Sequence, residues 1–492
     1  MSNVDSLAFF VPELILTVSV MLVLLADIVG WEQDGLDVPG QIALTGSIFA
    51  FLSHVYLYEL EATSLFSGML VHDPLAVFFR GFFLLSTVVV VAMTLFSREF
   101  EAFKKSETYA ILFSATIGMC LVAGSQDLLM VYLAVELMSM GSYILAGFAR
   151  NQPRSQEAAL KYILYGSVST GVMLFGLTWL YGLSGSTSFE AVQSALSGID
   201  GGVPLASYLI FIFVMAGVGY KIAMVPFHFW APDVYEGSPT PVTAFLSVAS
   251  KAAGFALLVR FFYSTLFSGF GASWQPVGDL DLDWPLHLAI LSAITMTVGN
   301  IGAYPQTNLK RLMAYSGIAH AGYLLMGVAI LTRSGLESIL FYLVMYFFTN
   351  FAAFLVIIMV IESAGDERFS GIRGLWKRAP LAAVVMSLAL FSLVGLPPTA
   401  GFIGKYYLFY AVLDSQFYWL AIVGVINTVL SLYYYARILK AMYLETGGSD
   451  VIMRVHPMYS LLLVLLGAPV LILGIYWNPV VEYVQYCAQM MG

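Results

Sequence analysis

Cysteine and charge are both scarce in this sequence of 492 residues. The two cysteines, Cys120 and Cys487, are too few and too far apart for a disulfide framework, a cysteine-ligated iron–sulfur cluster or a zinc site within this chain. Charged residues make up 10% and apolar residues 60% of the chain, against about 25% and about 45–50% in soluble domains. This composition excludes an ordinary soluble enzyme and a disordered chain, and it indicates a polytopic membrane protein.

Motifs for nucleotide and metal binding are also missing from the sequence. There is no P-loop and no GxGxxG that opens a helix after a strand, and the six histidines have no metal-ligand spacing. The net charge of −9 comes without any basic run. We therefore expect no cofactor and no metal in this chain, and no nucleic-acid partner.

Long apolar runs dominate the sequence instead. They predict an all-α polytopic membrane protein with about 14 transmembrane helices, each of about 20 residues. The predicted spans are 7–27, 41–60, 75–95, 109–124, 128–149, 159–183, 204–226, 240–265, 285–302, 308–331, 337–361, 380–413, 417–443 and 458–477. The first run follows no basic segment and precedes no cleavage site, so we expect it to be a membrane span and not a removed signal peptide.

Two of these spans contain helix breakers. The seventh runs into Pro226, and the twelfth is interrupted at 396–401, which reads LPPTAG. Proline removes a backbone donor and clashes with the preceding turn, so both helices are expected to kink or unwind. Backbone that is freed inside hydrocarbon must face protein or a water-filled cavity.

The positions of the two breaks suggest an internal repeat. Spans 4–8 and spans 9–13 form two blocks of five, and the fourth span of each block is the broken one. An odd number of spans inverts the second block relative to the first, and interrupted helices at matching positions of inverted repeats indicate a transport site. The predicted domains are an N-terminal three-helix segment (1–108), a first repeat (109–265), a second repeat (285–443) and a C-terminal helix (444–492).

Lysine and arginine residues predict the orientation of the chain. With both termini outside, 14 of the 21 basic residues lie in inside loops, Arg333 lies alone in an outside loop, and six lie within spans. The inside residues are Arg98, Lys104, Lys105, Arg150, Arg154, Lys310, Arg311, Arg368, Arg373, Lys377, Arg378, Arg437, Lys440 and Arg454. This excess follows the positive-inside rule.

Several ionisable residues fall within the predicted spans. A charge at the centre of a transmembrane helix costs about 2.5–3.5 kcal/mol on insertion scales, so each of these residues is expected to have a functional or structural role. The candidates for a proton path are Glu136, Lys161, Lys221, His228, Lys251, His320 and Lys405. We expect Glu136 and Lys221 to form an ion pair, with Lys251, His320 and Lys405 as successive relay groups. Arg80, Arg260 and Glu13 lie nearer span ends and are interpreted as interfacial.

Structural roles remain open for the same residues. Glu136 and Lys221 would then only lock two helices together, and His320 would be a satisfied core histidine. Lys161 would extend to the inner surface, where long basic side chains reach water.

Three stretches of the chain resemble the antiporter-like subunits of respiratory complex I. They are 219–258, which reads GYKIAMVPFHFWAPDVYEGSPTPVTAFLSVASKAAGFALL, 308–327, which reads NLKRLMAYSGIAHAGYLLMG, and 392–409, which reads SLVGLPPTAGFIGKYYLF. The resemblance covers roughly 100–460. It is closest to the N-type branch, because Lys405 stands where M-type subunits carry a glutamate.

The resemblance implies roles that the residues alone do not establish. Glu136, Lys221, Lys251 and Lys405 would be the central proton-translocating residues, with Lys161, His228 and His320 as supporting relays. NADH, FMN, iron–sulfur clusters and quinone would be bound by other subunits of the complex, and the membrane partners would be its other antiporter-like and small subunits. The location would be a bacterial inner membrane.

The predicted function is therefore that of a proton-translocating subunit of a translocase, an NADH:quinone oxidoreductase whose redox sites lie in other chains. Two alternatives remain open at this point. One is a subunit of a multi-subunit cation/proton antiporter, and the other is a structural membrane scaffold.

Overall fold

A computed structural model describes most of the chain. The described residues are 3–31, 37–58, 60–100, 105–198, 204–268, 275–277, 283–446, 453 and 455–489. Of the basic residues used to predict the orientation, Lys104 and Arg454 lie outside this set.

The described chain is almost entirely helical. The first helices are α1 (Asn3–Ser6), α2 (Val11–Ile28), α3 (Val38–Leu57), α4 (Pro74–Phe96), α5 (Lys105–Gly124), α6 (Leu128–Ala146), α7 (Pro153–Ser184), α8 (Phe189–Ser197), α9 (Pro204–Ile222), α10 (Trp230–Gly237), α11 (Thr240–Phe245) and α12 (Lys251–Thr265). The later ones are α13 (Trp284–Ala303), α14 (Leu309–Ala329), α15 (Arg333–Ala364), α16 (Phe369–Ile372), α17 (Leu375–Arg378), α18 (Pro380–Val394), α19 (Ala400–Asp414), α20 (Tyr418–Tyr443), α21 (Pro457–Ile475) and α22 (Asn478–Cys487).

The described chain also has three 3-10 helices, Leu7–Phe10, Phe66–Gly68 and Arg98–Phe100, and two short antiparallel strand pairs. Strand β1 (Thr63–Leu65) pairs with β2 (Leu70–His72), with Ser64 opposite Val71. Strand β3 (Phe267–Ser268) pairs with β4 (Gln275–Pro276).

The predicted membrane spans are confirmed. Thirteen helices in the described chain are long and apolar enough to cross a membrane, and the two half-helices α18 and α19 replace the twelfth predicted span. The most deeply enclosed spans are Thr240–Thr265, which is buried along its whole apolar window, and Leu309–Ala329. The core of the protein therefore surrounds the helices that carry Lys251 and His320.

The seventh span breaks earlier than the position of its proline suggests. Helix α9 ends at Ile222, and Ala223 adopts a φ of 58°, a left-handed conformation that alanine rarely takes. The backbone groups that the break releases find protein partners. Trp230 Nε1 donates to Tyr220 O at 3.0 Å, and Val225 N donates to Thr295 Oγ1 at 3.2 Å.

The break of the twelfth span lies where the sequence predicts it. Helix α18 ends at Val394, and Gly395 takes a φ of 89° as its C-cap. Gly401 N then donates to Ser392 Oγ at 3.0 Å. A Cβ atom on Gly401 would lie 1.7 Å from Ser392 O, so only glycine permits this approach of the two half-helices.

The eighth span contains an irregularity that the sequence did not predict. Helices α11 and α12 join through a π-helical turn, Leu246–Ser250, that ends directly before Lys251. Single π turns inside α-helices occur frequently at functional sites. The division into domains 1–108, 109–265, 285–443 and 444–492 stays a prediction.

The interfacial interpretation of Arg80, Arg260 and Glu13 is wrong. Arg80 and Glu13 form a buried ion pair between α4 and α2, with 2.6 Å between Nη2 and Oε2. Arg260 meets Asp73 through two bonds of 2.6 Å, and its Nε donates to Ala123 O at 3.0 Å. Neighbouring helices enclose all four side chains, because partners on other spans compensate the charges that the sequence positions alone seemed to place at the surface.

Removing the guanidinium of Arg260 should destabilise the protein strongly. Arg260→Met leaves the buried carboxylate of Asp73 without its cation, and breaking a buried ion pair costs about 3–5 kcal/mol. Arg333→Met is the control, because it removes an exposed pair with Glu337 worth at most about 1 kcal/mol. Denaturant unfolding of the detergent-solubilised protein measures both. Equal losses in the two variants would contradict this account.

Candidate functional site

The predicted site residues divide into two groups. Lys221, Lys251, His320 and Lys405 are almost completely buried, with 1%, 2%, 2% and 4% of their surfaces exposed. His228 is also buried, whereas Glu136 and Lys161 are partly exposed. The buried groups lie at the two helix breaks and on the two most enclosed spans.

Glu136 and Lys221 do not form the predicted direct ion pair, although Tyr143 lies near Lys221 and on the same face of α6 as Glu136. Lys221 lies in the last turn of α9, and its Nζ lies 6.0 Å from the ring centroids of both Tyr143 and Tyr220. Tyr143 follows Glu136 by two turns on α6, so both face the same side of that helix. Neither Glu136 Oε1 nor Lys221 Nζ has a hydrogen-bond partner among the described residues.

Lys251 is the first residue after the π turn. Its Nζ lies 5.9 Å from the ring centroid of Tyr235 and has no hydrogen-bond partner in the described part of the chain. The hydroxyls of Tyr235, Ser250 and Tyr346 are buried and equally unpartnered there. Buried polar groups in proteins are normally bonded to protein or to ordered water, so this group of side chains marks a place that suits water.

One face of α14 connects Lys251 to Lys405. A Cβ atom on Gly317 would lie 2.3 Å from Lys251 Nζ, so the ammonium group rests against this glycine. His320 is one turn further along, and Tyr323 is the next, with its ring centroid 4.5 Å from Lys405 Nζ. The spacing i, i+3, i+6 places all three residues on one side of the helix. The predicted relay His320 therefore lies between the two lysines.

The side chains beyond Lys251 are linked by direct hydrogen bonds. His320 Nδ1 lies 2.6 Å from Tyr342 Oη, and Nε2 lies 3.3 Å from Tyr435 Oη, which in turn lies 2.5 Å from Ser316 Oγ. Lys405 Nζ donates to Val394 O at 2.8 Å. That carbonyl is one of those released where α18 ends, so Lys405 also compensates the helix break.

His228 lies inside the first break. It has 6% of its surface exposed, its Nδ1 has no hydrogen-bond partner among the described residues, and its ring lies 4.4 Å from that of Phe229. This position next to Pro226 agrees with the sequence-based placement of His228 beside the break.

Lys161 lies in an ion-pair cluster that the sequence analysis missed. Its Nζ contacts Asp233 Oδ2 at 2.6 Å and Glu157 Oε1 at 2.7 Å. Asp233 also pairs with Arg311. The cluster extends through Glu236, Arg154, Glu367 and Lys310. A signal was available, because Asp233 and Glu236 stand three residues apart just after the break, in a chain with few acids.

Comparisons with known proteins agree on one family. The family model described as NADH:quinone oxidoreductase/Mrp antiporter, TM, matches residues 125–431. The chain is 40% identical to NADH-quinone oxidoreductase subunit N of Anaeromyxobacter sp. (strain Fw109-5), over 99% of this chain and 98% of that protein. It is 42% identical to the protein of the same name from Chlorobium chlorochromatii (strain CaD3), over 99% and 96%.

Solved structures share the same architecture. A chain of respiratory complex I from Thermus thermophilus with bound aureothin superposes with a TM-score of 0.78 at 29% identity, over 96% of this chain and 98% of that one. A chain of the Mrp complex from Dietzia sp. DQ12-45-1b gives a TM-score of 0.80 at 19% identity, over 99% and 97%. At that identity the second likeness concerns the fold alone.

Proposed function

The chain belongs to the NADH:quinone oxidoreductase/Mrp antiporter family of membrane subunits, and we propose that it is the proton-translocating N-type subunit of an NADH:quinone oxidoreductase. Protons pass along Glu136, Lys221, Lys251, His320 and Lys405. The observation that supports this path is the face of α14, which brings Lys251, His320 and Lys405 into one row. His228 assists at the first break.

The energy required fits the groups in the row. Moving one proton against about 180 mV requires roughly 4 kcal/mol. Breaking a buried ion pair changes the free energy by about 3–5 kcal/mol. Glu136 and Lys221 stand apart in this structure, so bringing them into a desolvated ion pair and separating them again is the step that we propose drives one proton towards Lys251.

The redox chemistry belongs to other chains in this proposal. NADH, FMN, iron–sulfur clusters and quinone are bound by partner subunits, and this chain contacts other membrane subunits and lipid. In the described part of the chain, no group of three or more His, Cys, Asp or Glu side chains could hold a metal ion. The membrane is a bacterial inner membrane, with both termini on the outer side.

A cation/proton antiporter subunit is the second candidate function. The Mrp structure favours it only at the level of the fold, whereas relatives at 40–42% identity along the full chain are named subunit N. Purification through a tag on this chain separates the two, because flavin and iron–sulfur absorbance should accompany the oxidoreductase subunit. If this chain were only a structural scaffold, the assembled complex would still pump protons at the native rate after the buried lysines of this chain are neutralised.

Lys405 provides the first test of the path. Lys405→Ala and Lys405→Arg should both impair proton release and slow coupled electron transfer, because alanine carries no proton and guanidinium does not release one. The rates of quinone reduction and of acidification of the compartment that receives the protons are measured in proteoliposomes that contain the assembled complex. If arginine restores native pumping while alanine does not, Lys405 is only the cation that compensates Val394 O.

Gly317 tests the contact between Lys251 and α14. Gly317→Ala places a methyl group 2.3 Å from Lys251 Nζ, closer than contact allows, and the flexible end of the lysine can move away without unfolding the helix. We expect a normal amount of assembled complex with slower coupled proton translocation. Gly171→Ala is the matched control, since nothing lies within 4 Å of that added carbon. Equal pumping in the two variants would remove the Gly317 contact from the path.

The orientation is tested by labelling. Arg373→Cys should react with an impermeant maleimide only from the inner side, and Arg333→Cys only from the outer side. Both side chains are 44% exposed, and the two native cysteines are buried, so the background is low. Labelling of Arg373→Cys from the outside would reverse the proposed orientation.

A further inference from the structure

Helix α10 is a short segment held between charged partners. It has eight residues, too few to be stable as an isolated helix in water. Its Asp233 contacts Lys161 Nζ of α7 at 2.6 Å and pairs with Arg311 of α14. Glu236, one turn later, lies 3.1 Å from Arg311. Ion pairs therefore attach α10 to α7 and α14, in addition to the packing of its buried Trp230, Val234 and Tyr235.

Aromatic residues of the same short helix lie beside Tyr220, the neighbour of Lys221, and near Lys251. Trp230 donates to the carbonyl of Tyr220, the neighbour of Lys221, and its ring stacks on Tyr162 at 4.5 Å. Tyr235 lies 5.9 Å from Lys251 Nζ. A shift of α10 would therefore change the surroundings of Lys221 and Lys251 together.

Arg311 connects this arrangement to the rest of the row. It lies in the first turn of α14, six residues before Gly317, at which Lys251 Nζ rests. Because a helix is stiff over this length of about 9 Å, the ion pair at Arg311 fixes α10 relative to the face that carries His320. Two carboxylates of α10 touch α7 and α14 at once, and Asp233 makes the shorter contact to α7: 2.6 Å to Lys161, against 3.8 Å between Glu236 and Arg154.

We propose that Asp233 is a positioning residue that sets the geometry between Lys221, Lys251 and the His320 face through its ion pairs with Lys161 and Arg311. The inference rests on the proposed function. It replaces the predicted relay role of Lys161 with that of a counter-ion to Asp233. Partly exposed ion pairs are worth at most about 1 kcal/mol, so the effect of Asp233 is expected as a small shift of α10 relative to α7 and α14 and not as unfolding.

The test compares two carboxylates that contact the same lysine. Asp233→Asn removes the carboxylate that joins α10 to Lys161 of α7 and to Arg311 of α14, while the pairs of Glu236 stay in place. Glu157→Gln removes a partner of Lys161 that belongs to α7 itself, 2.7 Å from Nζ and reaching neither α10 nor α14. Per assembled complex, quantified by its flavin, we expect Asp233→Asn to lower coupled proton translocation about fivefold. Glu157→Gln should remain near native, and Asp233→Glu should restore most of the loss.

A second measurement separates positioning from general structure. Hydrogen exchange of the peptide that covers 230–237 should accelerate in Asp233→Asn and not in Glu157→Gln. Native pumping in Asp233→Asn would overturn the inference whether or not exchange changes, as would an equal loss in the two variants. The proposed function is tested apart from this by Lys405→Ala, because native pumping in that variant would refute the path itself.

Discussion

Hydrocarbon offers no hydrogen-bond partner to a peptide group, and this constraint determines how the two broken helices can exist within a membrane. Each break releases carbonyl groups at the end of one half-helix. At the first break the indole of Trp230 donates to Tyr220 O, and at the second the ammonium of Lys405 donates to Val394 O. The groups that compensate the backbone are thus the proposed proton carrier Lys405 and the indole of Trp230, which is bonded to the residue before Lys221. Folding and the proposed chemistry depend on the same contacts.

The chain contains buried charges of two physical kinds. Arg260 and Lys251 lie nine residues apart on α12, and both are almost completely enclosed. Arg260 meets a carboxylate in two bonds and a carbonyl in a third, which compensates its desolvation. Lys251 has no such bonds in the described structure and faces tyrosine hydroxyls instead. Arg260 is bound to a carboxylate whereas Lys251 is not, and this difference supports a structural role for Arg260 and a proton-carrying role for Lys251 in the proposed path.

This distinction explains what could be predicted from the sequence. The spans, the two breaks and the depth of the lysines follow from runs of apolar residues and from proline, which are local properties. The sequence could not reveal that Arg260 has Asp73 as its partner, because 187 residues separate them. The Asp233–Arg311 pair spans 78 residues and was missed for the same reason. Glu136 and Lys221 were expected to touch, but proximity of two helices does not determine the reach of their side chains.

The two halves of the row also differ in how protons would cross them. From His320 onwards, tyrosine, serine and threonine hydroxyls are bonded directly to one another and to the proposed carriers, as in the 2.9 Å contact between Tyr323 and Thr428. Between Lys221 and Lys251 the hydroxyls of Tyr143, Tyr162 and Tyr235 have no partners among the described residues. In the proposed path, proton transfer through that first half therefore requires water. This half also contains α10, whose Tyr235 lies 5.9 Å from Lys251 Nζ and whose Asp233 pairs with α7 and α14, so the proposed positioning role of Asp233 acts where the proposed path depends on water.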